Sequence, residues 1–169
     1  MKYTFKTSYK RLLADTLTPV SIYLRLRDKF AQSILLESSD YHGNENSLSF
    51  ICCQPIATFK GDTQGVSISY PDGKTRDLSE GSDLVAELQE FSQTFTPAEF
   101  DEFKFPSNAL FGYTSYNGVQ YFEDIELRNI NHEIPDVFYA VYRYVIVVDH
   151  FKNQLFLFEH LHDSEESGI

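Results

Sequence analysis

The feature that most constrains the fold is an apolar run at 137–148 of the 169-residue chain. Almost every position in it is aliphatic or aromatic, and its one charged residue is Arg143. A run of about twelve residues is too short to span a bilayer as a helix. Its Val and Tyr content favours a long strand, predicted over 136–149, whose two faces are both covered by other elements.

Further helix and strand signals surround this run. Thr18 and Pro19 predict the N-cap and first position of a helix over 18–30, and Ser82 is predicted to cap a helix over 82–95. Shorter helices are predicted after Thr96 and over 117–124. Pro55 is expected at a bend or a sheet edge, and residues 71–73 are expected to form a hairpin turn. The predicted strands are 33–37 (buried), 49–53, 56–60, 66–70, 74–78, 108–113 and 154–159. The predicted fold class is α+β, an antiparallel-rich sheet with two or three packed helices.

Charge and cysteine content limit the class of protein. Lys and Arg number 14 against 25 Asp and Glu, a net charge of −11, which disfavours nucleic acid and anionic membranes as partners. The adjacent Cys52 and Cys53 cannot form an unstrained disulfide, and the N-terminus lacks the apolar segment of a signal peptide. We therefore expect a soluble, cytoplasmic protein with one domain over 1–160 and a disordered acidic tail over 161–169.

The usual catalytic and cofactor signatures do not occur in the sequence. There is no Walker loop, no G-x-G-x-x-G and no G-x-S-x-G. His160 and His162 stand one residue apart without a third ligand nearby, so a solvated chain end is favoured over a metal site. The two cysteines are interpreted as ordinary strand residues, because no basic residue close in sequence lowers a thiol pKa. His42 is interpreted as a surface residue of a polar loop.

Two segments combine a strand end with polar or glycine-containing sequence. At 35–40 an apolar strand ends in Glu37, Ser38, Ser39 and Asp40, side chains that suit an ammonium group such as that of an amino acid. The alternative is a strand end whose side chains bond to loop amides. At 111–123 a strand turns through glycine, serine and asparagine into a short aromatic helix, which is either a ligand site or a closely packed corner.

These two segments, in this order, resemble the N-terminal domain of the anthranilate synthase component I family. This family of chorismate-utilising enzymes also includes aminodeoxychorismate and isochorismate synthases. The similarity is spread from residue 18 to residue 160. The matching stretches are TPVSIYLRL at 18–26, ILLESSDYHGNENSLSFICC at 34–53 with Pro55, FGYTSYNGVQYFE at 111–123, Pro135-Asp136, and YRYVIVVDHFKNQLFLFEH at 142–160.

The resemblance implies a regulatory and scaffold domain of a lyase in tryptophan biosynthesis. Members convert chorismate and glutamine-derived ammonia to anthranilate in a Mg²⁺-dependent C-terminal chorismate-binding domain, and they pair with a glutamine amidotransferase subunit, component II. No catalytic residue is expected within this chain. The feedback site for L-tryptophan maps onto Leu36, Glu37, Ser38 and Ser39. Residues 44–49 carry no Lys or Arg to meet the ligand carboxylate, a departure from some members.

Two other functions remain open from the sequence. One is the same domain of aminodeoxychorismate synthase component I, in the folate pathway, where tryptophan is a structural ligand. The other is a stand-alone binding or interaction module whose resemblance is only local. A downstream reading frame that encodes a chorismate-binding domain separates the stand-alone module from the two enzyme domains.

Overall fold

The computed structural model describes residues 2–37, 47–96, 103, 105–106, 109–125, 127, 133–162 and 166–169. The strands are β1 Tyr3–Leu13, β2 Ile34–Glu37, β3 Leu48–Asp62, β4 Gly65–Ser69, β5 Thr75–Ser79, β6 Phe95–Thr96, β7 Phe111–Thr114, β8 Val137–Asp149 and β9 Gln154–His162. The helices are α1 Pro19–Leu26, α2 Leu84–Gln93 and a 3-10 helix, Tyr116–Tyr121. β1 and β6 pair in parallel, whereas the other described registers are antiparallel. The predicted α+β class is confirmed.

The chain forms two compact units. The first comprises Met1–Thr4, Ile56–Thr96 and Leu110–Val141, and the second comprises Phe5–Pro55, Pro97–Ala109 and Tyr142–Ile169. Strands β1, β3 and β8 contribute residues to both units.

In the first unit, β3 pairs with β4 and β4 pairs with β5. The predicted hairpin is confirmed, with Ser69 opposite Thr75 and Gly73 at a φ of 80° in the turn. The predicted cap of the second helix is wrong by one residue. Asp83 is the N-cap, because its carboxylate accepts the Ala86 N–H at 3.0 Å, whereas the Ser82 hydroxyl donates to Ser79 O.

Aromatic rings fill the core of the first unit. Phe91 of α2 lies 5.7 Å from Phe59 and 4.9 Å from Phe95, measured between ring centroids. Phe59 and Phe91 are fully buried. The high aromatic content of the sequence is thus used to join α2 to the sheet.

In the second unit, β9 lies between β8 and β1 and pairs antiparallel with both. Helix α1 begins as predicted, with the Thr18 hydroxyl accepting the Ser21 N–H at 3.1 Å and Pro19 in the first position. It ends at Leu26 instead of residue 30. The N–H groups of Lys29 and Phe30 both bond to Leu26 O in a turn, and Gln32 has a φ of 59°. This left-handed backbone ends the helical path before β2.

The sequence predicts that Pro55 separates two strands, but the strand continues through it. The two strands expected at 49–53 and 56–60 are one strand, β3. Gln54 adopts a φ of 59° immediately before the proline. A left-handed residue of this kind is typical of a bulge, which lets a strand continue past a residue that lacks an N–H donor.

The two chain ends differ from expectation. Strand β1 is not predicted by the sequence analysis at all, yet it pairs with β9 from Phe5 to Leu13. At the other end, β9 includes Leu161 and His162, so the disordered tail predicted from residue 161 begins too early. The cause is burial, since Leu161 is 1% exposed and extends the apolar face of the strand.

Gly112 in β7 leads to a first testable prediction. A Cβ atom at this position would overlap Phe138 O and lie 2.7 Å from Tyr139 Cα, both in the backbone of β8. Backbone atoms of a paired strand move only if the pairing is disturbed, so Gly112→Ala should lower the free energy of unfolding by about 2–3 kcal/mol. Urea denaturation measures this loss.

Gly73→Ala is the matched control for Gly112→Ala. Its φ of 80° is unfavourable for alanine, but no atom lies within 4 Å of the added Cβ. It should cost only about 1 kcal/mol. Equal losses in the two variants would contradict the packing explanation.

Candidate ligand site at the end of strand β2

The segment singled out for ligand binding begins on β2. Leu36 lies opposite Phe50 of β3, and Glu37 lies opposite Ser49. Glu37 is the last residue of the strand. Ser38 and Ser39, the other two predicted contacts, lie outside the described residues.

The strand is less buried than the sequence predicts. Leu36 is 39% exposed and Glu37 is exposed, while Ile34 and Leu35 are half-buried. The prediction of a buried strand at 33–37 is therefore wrong. The physical reason is that Leu35 packs against the apolar cluster on one face of the strand, whereas Leu36 points to the opposite face and is exposed. Successive strand side chains point to opposite faces, so the exposed Glu37 carboxylate and the exposed Leu36 side chain lie on different faces of the strand end.

Two residues missed by the sequence analysis lie next to this strand end. Ser49 is 1% exposed, and its Oγ lies 2.8 Å from Nε2 of His150, in the turn after β8. The His150 backbone N–H donates to Ser47 O at 3.0 Å. Residues directly opposite each other in an antiparallel pair share one face of the sheet. The pairing of β2 with β3 therefore sets Glu37 and Ser49 on one face of the sheet. The hydrogen bond between Ser49 and His150 places His150 beside Ser49.

An apolar cluster supports β2. Ile51 and Val148 are buried at its centre, and Leu35 packs against it. The inner face of α1 covers it with Ile22, Tyr23 and Leu26. In addition, the Tyr142 hydroxyl donates to Gln32 O at 2.8 Å, which ties the turn before β2 to β8. The strand end is thus carried by a packed layer.

The cysteines of β3 are buried thiols with raised pKa values. Both thiols are free and buried. Burial raises the pKa of Cys53 to about 11, and burial together with the neighbouring Cys53 raises the pKa of Cys52 still further. Thiols with such pKa values stay protonated near neutral pH, which agrees with the structural interpretation of this pair.

The second segment forms a packed corner around Asp136. The Ser115 N–H donates to Asp136 O at 2.7 Å, and the Ser115 hydroxyl donates to Asp136 Oδ1 at 3.2 Å. The Tyr121 hydroxyl donates to Asp136 Oδ2 at 2.8 Å. A Cβ atom at Gly118 would overlap the Thr114 methyl group. These contacts fix the path from β7 into the 3-10 helix.

His160 and His162 are predicted to be solvated, and this prediction is wrong for His160. His160 is 1% exposed, and its Nδ1 lies 2.8 Å from Thr7 Oγ1 on β1. Strand pairing with β1, which the sequence analysis missed, explains the burial. Over the part of the chain that the structure describes, no group of three or more His, Cys, Asp and Glu could hold a metal ion. None of the described helices is long and apolar enough to cross a membrane.

Comparison with known proteins supports the resemblance drawn from the sequence. No family profile matches the chain. Anthranilate synthase component 1 of Acinetobacter calcoaceticus is 27% identical over 166 residues, which cover 95% of this chain and 33% of that protein. Aminodeoxychorismate synthase component 1 of Bacillus subtilis is 30% identical over 151 residues, covering 85% of this chain and 30% of that protein. The chain spans about a third of the length of these relatives.

A solved structure shares the fold. The crystal structure of anthranilate synthase component I from Streptococcus pneumoniae TIGR4 matches with a TM-score of 0.53 and 22% identity. The match covers 94% of this chain and 33% of that one. The resemblance to the anthranilate synthase component I family is thereby confirmed for sequence and fold.

Proposed function

We propose that this chain, which shares sequence and fold with anthranilate synthase component I, is the N-terminal regulatory and scaffold domain of such an enzyme. The whole protein would convert chorismate and ammonia to anthranilate, a lyase reaction of tryptophan biosynthesis in the cytoplasm. The anthranilate synthase relatives that match over 83–95% of the chain support this assignment. The role of this part would be to bind L-tryptophan as the feedback inhibitor.

The strand end at Glu37 is the observation that carries the regulatory role. An apolar strand on a packed support ends in an exposed carboxylate, and Ser38 and Ser39 follow directly in sequence. Glu37 would balance the ligand's ammonium group, and the serine hydroxyls would bond to its polar groups. Leu36, whose side chain points to the opposite face of the sheet, would contact the ligand through its backbone. The charge of the ammonium makes a hydrogen bond to Glu37 stronger than one between neutral groups.

We further propose His150 as the partner of the tryptophan carboxylate. Residues 44–49 contain no Lys or Arg. His150 bonds to Ser49, which lies opposite Glu37 in the sheet. An imidazole donates a hydrogen bond to a carboxylate in either protonation state and adds a positive charge when protonated.

Catalysis would belong to the remainder of a longer protein. We propose that a C-terminal chorismate-binding domain supplies the active site, that Mg²⁺ acts there, and that component II, a glutamine amidotransferase, delivers ammonia. No residue described in this chain is assigned to the reaction. The remaining wall of the tryptophan site would also come from that domain, so this chain alone should bind tryptophan weakly.

A second candidate function is favoured by one relative. The match to aminodeoxychorismate synthase component 1 of Bacillus subtilis, at 30% identity, is similar in identity to the matches to the anthranilate synthases, at 27–29%. Tryptophan binding alone does not separate the two enzymes. An assay of the longer protein for anthranilate against aminodeoxychorismate does.

The proposed function predicts an all-or-none difference in activity. The 169-residue chain incubated with chorismate, Mg²⁺ and ammonia should form no anthranilate above a buffer control, measured by fluorescence. The longer protein that joins it to its chorismate-binding domain should form anthranilate, and tryptophan should inhibit it. Turnover by the isolated chain, or a longer protein unaffected by tryptophan, would contradict this division of roles.

A further inference from the structure

Strand β2, which carries the proposed tryptophan site, is short, so its position depends on what holds the chain before it. Four residue pairs join it to β3, from Ile34 to Glu37. In a paired strand, a shift of one residue in register moves every side chain to the opposite face. Such a shift would take the Glu37 carboxylate away from the face that carries Ser49. A contact that holds the chain before Ile34 therefore controls whether the site forms.

The turn before β2 has a backbone conformation that needs support. Gln32 adopts a φ of 59°, in the left-handed region that residues other than glycine rarely occupy. A residue in this region persists only where its surroundings hold it there. Local bonds close the turn around it, since the Phe30 N–H donates to Leu26 O and the Ser33 hydroxyl donates to Phe30 O. Neither of these bonds involves Gln32.

Tyr142 of β8 supplies the support for this turn. Its hydroxyl donates to Gln32 O at 2.8 Å, across 110 positions of sequence. Over the part of the chain that the structure describes, no other hydrogen bond joins residues 27–32 to a distant strand. The Tyr142 side chain is fully buried, at 1% exposure. Burial, together with the nearby thiols of Cys52 and Cys53, raises the pKa of Tyr142, so the hydroxyl stays protonated and remains a donor.

We propose that Tyr142 is a positioning residue for tryptophan binding, an inference that rests on the proposed feedback site. By holding Gln32 O, the Tyr142 hydroxyl keeps β2 in the register that sets Glu37 opposite Ser49. Tryptophan binds the chain in this register, so its apparent affinity falls in proportion to the fraction of molecules that keep it. Because its ring is buried, Tyr142 acts through the strand and not by contact with the ligand.

Tyr142→Phe in the longer protein that we propose tests this role, because it removes the hydroxyl and keeps the buried ring. The inhibition constant for tryptophan should rise about threefold to tenfold, the size expected when one neutral hydrogen bond is lost. The KM for chorismate should change by less than about twofold, since the active site is proposed to lie in another domain. A general loss of structure would instead change both constants.

Tyr121→Phe is the matched control for Tyr142→Phe. The Tyr121 hydroxyl also donates one bond of 2.8 Å, to Asp136 in the first unit, so the variant loses the same group without affecting the turn before β2. Its melting temperature should fall at least as much, because its acceptor is a carboxylate. Its inhibition by tryptophan should equal that of the wild type. Wild-type inhibition in Tyr142→Phe, or equal weakening in both variants, would overturn the proposal.

Hydrogen exchange in the 169-residue chain separates this proposal from the proposed function, because it needs no tryptophan. Tyr142→Phe should speed exchange of the β2 backbone amides by about fivefold, and Tyr121→Phe should leave that exchange unchanged. Unchanged β2 exchange in Tyr142→Phe would overturn the positioning role alone and leave the feedback site standing. A wild-type longer protein that tryptophan does not inhibit would overturn the feedback function, and with it any role of Tyr142 in tryptophan binding.

Discussion

Replacing Glu159 by alanine should lower the free energy of unfolding by about 3 kcal/mol, because it removes a fully buried carboxylate with several partners. Glu159 Oε1 lies 3.2 Å from the Arg143 guanidinium and accepts the Tyr144 hydroxyl at 2.9 Å. Its Oε2 accepts the Ser167 hydroxyl at 2.7 Å and the Gly168 N–H at 2.9 Å. Alanine leaves these donors without their acceptor and frees the chain end at 166–169 from β9.

Thermal and chemical denaturation measure the loss at Glu159. A change of about 3 kcal/mol corresponds to a fall in Tm of about 6–12 °C for a chain of this size. Glu159→Gln keeps the side-chain size and one acceptor, so its loss should be smaller. Glu166→Ala is the control, since it removes the same side chain from an exposed position in the same segment, and its effect should stay within about 0.5 kcal/mol.

The effect of Glu159 depends on pH in a defined direction. Burial acts to raise the pKa of this carboxyl, but hydrogen bonds from Ser167, Tyr144, Gly168 and Arg143 outweigh burial and lower the pKa below its ordinary value of 4.5. A lowered pKa in the folded state stabilises the protein above the unfolded pKa, and this contribution is lost as the pH falls through the folded value. The difference between wild type and Glu159→Gln should therefore be constant from pH 7 to about pH 5 and shrink below pH 4.5. A difference that grows on acidification would contradict this account of the site.

Elements with strong local signals were predicted from the sequence. Thr18 and Pro19 start α1 because the cap and the proline act within one turn. The turn at 71–73 sets the register of β4 and β5 because its residues are local as well. The apolar run at 137–148 predicts β8 because a strand of that composition needs cover on both faces.

Strand β1, which is held by a partner distant in sequence, was not predicted. Strand β1 depends on β9, and its side chains after Phe5 are half-buried or exposed, so its own sequence carries no clear apolar face. The same applies to the candidate site. Glu37 is found where the apolar strand ends, as predicted, but Ser49 and His150 come together across 101 positions of sequence. A local sequence pattern cannot predict this contact, because it forms only when the strands of the sheet pair.

In the longer enzyme that we propose, Ser38→Ala is expected to weaken feedback inhibition strongly and to leave catalysis intact. Ser38 follows Glu37 at the point where an apolar strand gives way to a polar segment, so we expect its hydroxyl to bond to tryptophan instead of supporting the core. Loss of one hydrogen bond costs about 1 kcal/mol, or up to about 3 kcal/mol when the ligand group is charged. The affinity for tryptophan should fall by roughly fivefold to a hundredfold.

Inhibition curves and melting curves of the Ser38 variant distinguish a ligand contact from a structural one. Ser38→Ala should remain active without tryptophan, resist inhibition and melt at the wild-type temperature, and Glu37→Gln should behave in the same way if Glu37 balances the ammonium group. Ser92→Ala is the matched control, because it removes an exposed hydroxyl from α2, in the first unit, and should leave inhibition unchanged. A structural role for Ser38 gives the opposite result, a lower melting temperature with normal inhibition, because the hydroxyl would then bond to the loop in the free protein as well as in the complex. Normal feedback sensitivity in Ser38→Ala would show that tryptophan binds elsewhere.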